Sequence, residues 1–302
     1  METGQMEITL NNGSKSSMNL AERGGIASLE AGSISLSLND STLTENTATL
    51  GGGIYTSSAN ILVDSEGSSI SKNSAVYGGF MYSLYGHSEL NLRDSTAHQN
   101  VAVEAGALAA SDSGSLAISA IGFSKLYENQ ANQGAVLASD KGELMLVLKD
   151  NSNIYANNAT NGGVTYGLSR DTHIELYVDA AIFNNSATLG GVAYGGSGDV
   201  TMVLYENSRL YSNFASSKGG VAYSVEGFSS LYCYDHSEVY SNEALFEGGA
   251  LFSLHGGIRT QVYDSSSVHH HQALRGGFAG TDTGRMELEL TGSATVHSNH
   301  AR

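Results

Sequence analysis

The sequence predicts an all-β, single-domain parallel β-helix of about ten rungs, each 27–29 residues long, spanning residues 1–302. Three observations predict it. One phrase recurs along the whole chain, its positions hold residue types with narrow steric roles, and the segments between alternate apolar and polar residues. Self-similarity at a fixed period marks a solenoid, in which each repeat buries its apolar face only against its neighbours.

The recurrence is plainest in NNSATLGGVAY at 184–194, KNSAVYGGFMY at 72–82 and NNATNGGVTY at 157–166. Its asparagine stands at Asn19, Asn46, Asn73, Asn100, Asn129, Asn157, Asn185, Asn213 and Asn242, yields once to His271 and returns at Asn299. Two residues later an alanine fills all eleven copies, from Ala21 to Ala301. A column restricted to a methyl group marks a corner where backbone meets backbone. A glycine pair follows, as at Gly51, Gly190 and Gly248, where positive φ or close backbone approach favours that residue. An apolar column lies three residues before the asparagine (Leu43, Ile70, Ile154, Leu210, Val239) and a serine column five before it (Ser41, Ser237, Ser266).

Upstream of these positions Leu144, Leu146 and Leu148, then Val200, Met202 and Leu204, then Met286, Leu288 and Leu290 recur with period two. Strict alternation reads as strand, and Gly and Asn breakers stand too close together for a helical solenoid. Three short strands per rung are expected, joined at the Ser, Asn-x-Ala and Gly-Gly positions. Rungs stack at about 4.8 Å, so the asparagines form a ladder of side-chain amides that satisfies polar groups in an apolar bore.

Composition narrows the function. A net charge of −16 argues against nucleic acid, whose phosphates need a basic face. No apolar run reaches the length of a membrane-spanning helix, so direct membrane insertion is not expected. Cys233 stands alone, excluding an internal disulfide. The start METGQMEITL shows no signal peptide, which fits a cytosolic chain and equally a fragment or mature form.

The consensus [Leu/Ile/Val]-x-x-Asn-x-Ala-x-x-Gly-Gly-[Ala/Val/Phe]-x-Tyr, as in Ile70–Tyr82 and Ile182–Tyr194, resembles the repeat of chlamydial polymorphic membrane proteins, marked by FxxN and GGA[I/L/V]. The resemblance covers the whole chain. It implies a right-handed β-helix, export, surface display and adhesion. Leucine or isoleucine stands for the phenylalanine, valine or phenylalanine often stands for the GGA alanine, and no C-terminal membrane barrel is present.

Several residues invite chemistry. Glu206, Asp235 and Asp264 lie seven before the ladder in successive rungs; stacked carboxylates share a cation such as Ca2+ or have raised pKa values, or they are solvated turn residues. His269, His270 and His271 are consecutive, and neighbouring strand side chains point to opposite faces, so they do not converge on one ion. Two aromatic columns are expected to face outward, Tyr127, Tyr155, Phe183, Tyr211 and Tyr240, then Tyr177, Tyr205, Tyr234 and Tyr263. They serve either as cross-strand packing or as a stripe for glycan or protein ligands. A third column (Tyr55, Tyr82, Tyr166, Tyr194, Tyr223, Phe252) has no assignable facing. Asn12, Asn39, Asn158 and Asn184 head Asn-x-Ser/Thr sequons, and Asn184 is expected to point outward and to be the most accessible of the four.

The expectation is a non-enzymatic structural or adhesive module, extracellular or at the cell surface, needing no cofactor. Its partners are glycan or protein ligands and further copies of itself. Enzymatic β-helices such as pectate lyases wall a groove with long loops, and repeats varying by two residues leave no room for such loops. A carbohydrate-active enzyme fragment is the alternative. An ice-binding surface would need a Thr-x-Thr column, and none appears. Both ends carry the consensus without a cap, which predicts a longer native chain or end-to-end stacking into filaments.

Overall fold

The computed structural model describes residues 4–302; residues 1–3 of the expected domain lie outside them. The described residues form only strands, turns and bends, with no helix long and apolar enough to cross a membrane. Every strand pairing is parallel. One face stacks eleven long strands, from Gly4–Asn11 to Arg285–Leu290, a second stacks eleven short strands that lead into the ladder, and a third stacks ten short strands that follow the glycine pair. The parallel β-helix expected from the repeat is therefore the fold.

Inward positions of the long strands alternate as the sequence pattern requires: Leu144, Leu146 and Leu148 are buried while Met145 is exposed. They meet the apolar column of the second face (Leu43, Ile70, Leu126, Ile154, Ile182) in one continuous core. Cys233 sits in this core and burial pushes its thiol up to about 12, so it acts as a small apolar residue. Met286, Leu288 and Leu290 continue the inward columns of Ile258, Thr260 and Val262 and are about half exposed.

The ladder is built as expected and is more tightly tied than a simple amide stack. The Asn157 backbone N–H and its side-chain Nδ2 both donate to Asn185 Oδ1, at 3.0 and 2.9 Å. Asn185 repeats the arrangement on Asn213, at 3.0 Å for each bond. The same Asn185 Nδ2 also donates back to the Ile154 carbonyl at 3.2 Å. Each carboxamide thus joins three successive rungs in a site sealed from water, where an unmade bond is costly.

One residue before the ladder the backbone turns left-handed in every rung, with φ between 52° and 60° from Met18 to Ser298. None of these residues is glycine. A left-handed conformation costs an ordinary residue about 1–2 kcal/mol. The turn reverses the strand alternation, which explains why Phe183 points out, Asn184 is exposed and Asn185 points in. It also corrects the simple alternation applied to His269–His271, since His270 occupies this corner at φ 58°.

The segment after the ladder departs from the expected plain corner. Ser186–Leu189, Phe214–Lys218 and their neighbours pair as a short five-stranded sheet, and earlier rungs contribute a two-stranded piece and isolated bridges. The alanine column faces inward there, as at Ala187 and Ala215. At the glycine pair the two residues serve different needs. Gly190 has φ 64°, whereas a Cβ on Gly191 would lie 2.2 Å from the Gly220 carbonyl oxygen of the next rung.

His271 replaces asparagine with the backbone links of the ladder kept, while the Asn242 Nδ2, which in other rungs donates to the next carboxamide, bonds only the Leu210 and Tyr240 carbonyls. The His271 Nδ1 accepts the Asn242 backbone N–H at 3.2 Å, its Nε2 donates to the Val239 carbonyl at 3.1 Å, and its own N–H donates to Asn299 Oδ1 at 3.0 Å. Burial lowers its pKa to about 3, against the two backbone hydrogen bonds, so the folded imidazole is neutral.

Two outcomes follow for stability. Asn185→Leu should cost at least about 1–3 kcal/mol, because Asn157 loses the acceptor of two donors; thermal unfolding measures it, and unchanged melting would refute a buried ladder. The unfolded chain takes up a proton on His271 below its ordinary pKa near 6.5 and the folded chain does not. Stability is therefore complete above that pH and falls by about 1.4 kcal/mol per pH unit down to about 3. His271→Asn should abolish this component, seen as a shallower loss of Tm between pH 6 and pH 4.

Candidate functional site

Stacking equal rungs places equal side chains above one another, and the aromatic columns exploit this. On the second face His98, Tyr127, Tyr155, Phe183, Tyr211, Tyr240, His269 and His297 form one unbroken stack. Centroids are 4.7–5.4 Å apart and planes lie within 8° of parallel. The rings face outward as expected but are half-buried in the middle of the stack, because each covers its neighbour and shows the solvent only an edge. Burial raises the Tyr127, Tyr155 and Tyr240 hydroxyl pKa values.

Tyr177, Tyr205, Tyr234 and Tyr263 form a second stack at the end of the long strands, with centroids 4.7–5.2 Å apart. Its first ring is anchored. Tyr177 donates to Glu175 Oε2 at 2.7 Å, and His173 Nε2 lies 2.8 Å from Glu175 Oε1. Burial opposes ionisation of Glu175, but the bonds from His173 and Tyr177 outweigh it and hold the carboxyl below its usual range. Burial and the Glu175 bond push Tyr177 up to about 12.

The acidic column has a local backbone cause. Glu206, Asp235 and Asp264 have φ of 58°, 63° and 59°, a conformation that Asp tolerates better than most residues. Asp235 Oδ2 accepts the Glu206 backbone N–H at 3.2 Å, and Asp264 Oδ2 accepts that of Asp235 at 3.3 Å. Among the described residues no group of three or more His, Cys, Asp or Glu side chains is placed to hold a metal ion. The four sequon residues Asn12, Asn39, Asn158 and Asn184 are all exposed.

The third aromatic column, whose facing the sequence leaves open, lies on the outer side of the third face and is nonetheless largely buried. Tyr55, Tyr82, Tyr166, Tyr223 and Phe252 are at most 8% exposed, with Leu50 and Leu84 packed against the column. Between Tyr82 and Tyr166 the column holds Ala110 and Ala138. The missing rings leave a cleft of about 520 Å3, lined by Tyr77, Tyr82, Glu104, Ala110, Gln133, Ala138 and Tyr166 with Asp112 and Asp140. Ser111 also borders it, and its buried hydroxyl has no hydrogen-bond partner.

Asp112 and Asp140 occupy the same column on adjacent rungs. Burial, then the neighbouring Asp112 charge, raises the Asp140 pKa, and Lys141 opposes this only in part. Burial followed by the Asp112 charge pushes Tyr82 up to about 12, and burial with Tyr194 does the same for Tyr166. Reading single phrases misses this cleft. Its trace in the sequence is tyrosine becoming alanine and leucine becoming aspartate in the same two copies, and those changes make a cleft only once the rungs stack in register.

No family model matches the sequence, and no curated protein or solved structure matches it significantly.

The eight-ring stack predicts a graded response. Tyr155→Ala removes two stacking contacts, each worth about 0.5–1.5 kcal/mol, in addition to the lost burial. Tyr155→Phe should melt like the parent. Equal melting of Tyr155→Ala and the parent would show that the stack contributes nothing to the rod.

Proposed function

We propose that this chain is a non-enzymatic structural or adhesive module of an extracellular or cell-surface assembly, a rigid rod that presents stacked columns to glycan or protein ligands. The eight-ring stack is the observation that carries this reading. Seven rung steps make a stripe about 34 Å long on the inter-strand spacing, with each ring held in place by its neighbours. Such rings give contact area while losing little side-chain entropy on binding. The acidic charge keeps a repetitive rod soluble.

The carboxylates of Asp112 and Asp140, set between tyrosines, favour the second reading, a carbohydrate-active enzyme fragment. One experiment separates the two. The chain is incubated with a panel of oligosaccharides and with immobilised cell-surface glycans and proteins, following both retention and hydrolysis. Retention without cleavage products, weakened about tenfold in a Tyr155→Ala, Tyr211→Ala double variant, is the expected result. Release of shorter sugars would overturn the non-enzymatic reading. Retention indifferent to the double variant would overturn the role of the stack.

A further inference from the structure

The aromatic column of the third face is interrupted at three places: by Ser28, by Ala110 with Ala138, and by Gly280. At each interruption the position two residues on is acidic, namely Glu30, Asp112 with Asp140, and Asp282. The intervening rungs hold Ser57, Leu84, Leu168, Gly196, Val225 and Leu254 there. A small residue and a carboxylate therefore occur together in this corner.

At the first and last interruptions a cation of the chain itself fills the space. The Arg23 guanidinium lies 5.2 Å from the Tyr55 ring centroid and binds Glu30 at 3.2 Å. The Lys218 ammonium lies 4.2 Å from the Phe252 centroid and 3.8 Å from Asp282, and it also contacts Glu247. Both cations come from the column that precedes the glycine pair. Beside the middle interruption that column holds Tyr77, Ala105 and Gln133, none of them cationic. Lys141 reaches Asp112 at 3.6 Å from a position 65% exposed. Among the described residues no lysine or arginine pairs with Asp140 or Glu104.

We propose that the middle interruption is a binding site for an organic cation, an alkylammonium or alkylguanidinium group supplied by another molecule, held by Asp112 and Asp140 between the Tyr82 and Tyr166 ends of the two ring stacks. Tyr82 and Tyr166 are three rungs apart, about 14 Å on the inter-strand spacing, which leaves room for such a head and part of its stem. Aromatic faces attract a desolvated cation, and two carboxylates on adjacent rungs repel until a positive charge lies near both. A neutral sugar would leave that repulsion in place. The inference stands apart from the adhesive reading, since the cleft lies on a different face from the eight-ring stack.

The test titrates the whole chain with Nα-acetyl-lysine methylamide and Nα-acetyl-arginine methylamide, followed by NMR shifts of Ala110 and Ala138. Nα-acetyl-norleucine methylamide and a neutral oligosaccharide serve as controls. The expected result is saturable, salt-sensitive binding of at least one cation, five-fold or more tighter than either control, and at least five-fold weaker in Asp140→Asn. Gln133→Arg should place a guanidinium in the cleft as Arg23 does at the first interruption, abolishing binding while raising Tm. Tyr155→Ala should leave the affinity unchanged. Binding of the controls as tight as that of the cations, no saturable binding, or undiminished binding in a folded Gln133→Arg variant would overturn the proposal.

Discussion

From Asn100 to Asn242 each rung is positioned by a buried carboxamide whose oxygen takes two N–H donors from one neighbouring rung and whose nitrogen reaches back to it. This interaction demands a side chain of one length, one acceptor and two donors, at one point on the circumference. It forces the left-handed corner at the preceding residue, where Lys72, Glu128 and Ala156 accept a conformation they ordinarily avoid. The corner in turn directs the residue two before the asparagine outward, and so creates the long aromatic stack. Ladder, corner and stack are one device repeated along the rod.

His271 shows how narrow the requirement is. An imidazole meets only part of it, in the neutral form protonated on Nε2, with Nδ1 accepting the one backbone N–H of Asn242 where a carboxamide oxygen takes two donors. The substitution keeps the backbone links, gives up the side-chain amide link, and introduces a sensitivity to acid that asparagine lacks. At the same height the outer stack also changes to imidazole, at His269 and His297, where burial and then neighbouring imidazoles lower the His269 pKa. His271 inside and His269 outside therefore respond to acid in the same direction.

The third face follows a different logic. Its aromatic column is covered by neighbouring columns, so its interruptions become recesses and not bare surface. Terminal recesses are closed by Arg23 and Lys218 lying on the end rings, and the central one is open and acidic. A regular solenoid thereby acquires a local site with no inserted loop, through changes at a few columns in two rungs.

The repeat by itself determined the strand alternation, the inward asparagines, the glycine corner and the apolar bore, because each depends on a residue type that recurs at one position. Columns made of a single residue type declare their neighbours in advance: Tyr127 can only stack on Tyr155 once the rungs are parallel and in register. Three matters were decided by tertiary structure alone. The left-handed corner has no residue signature, being held by hydrogen bonds from the adjoining rungs. The near-complete burial of Tyr55, Tyr82 and Tyr166 depends on side chains from other columns, such as Leu50 and Leu84, that close over them. The cleft joins Tyr82 to Tyr166 across 84 residues of chain; only stacking brings those rings, and the carboxylates between them, to one place.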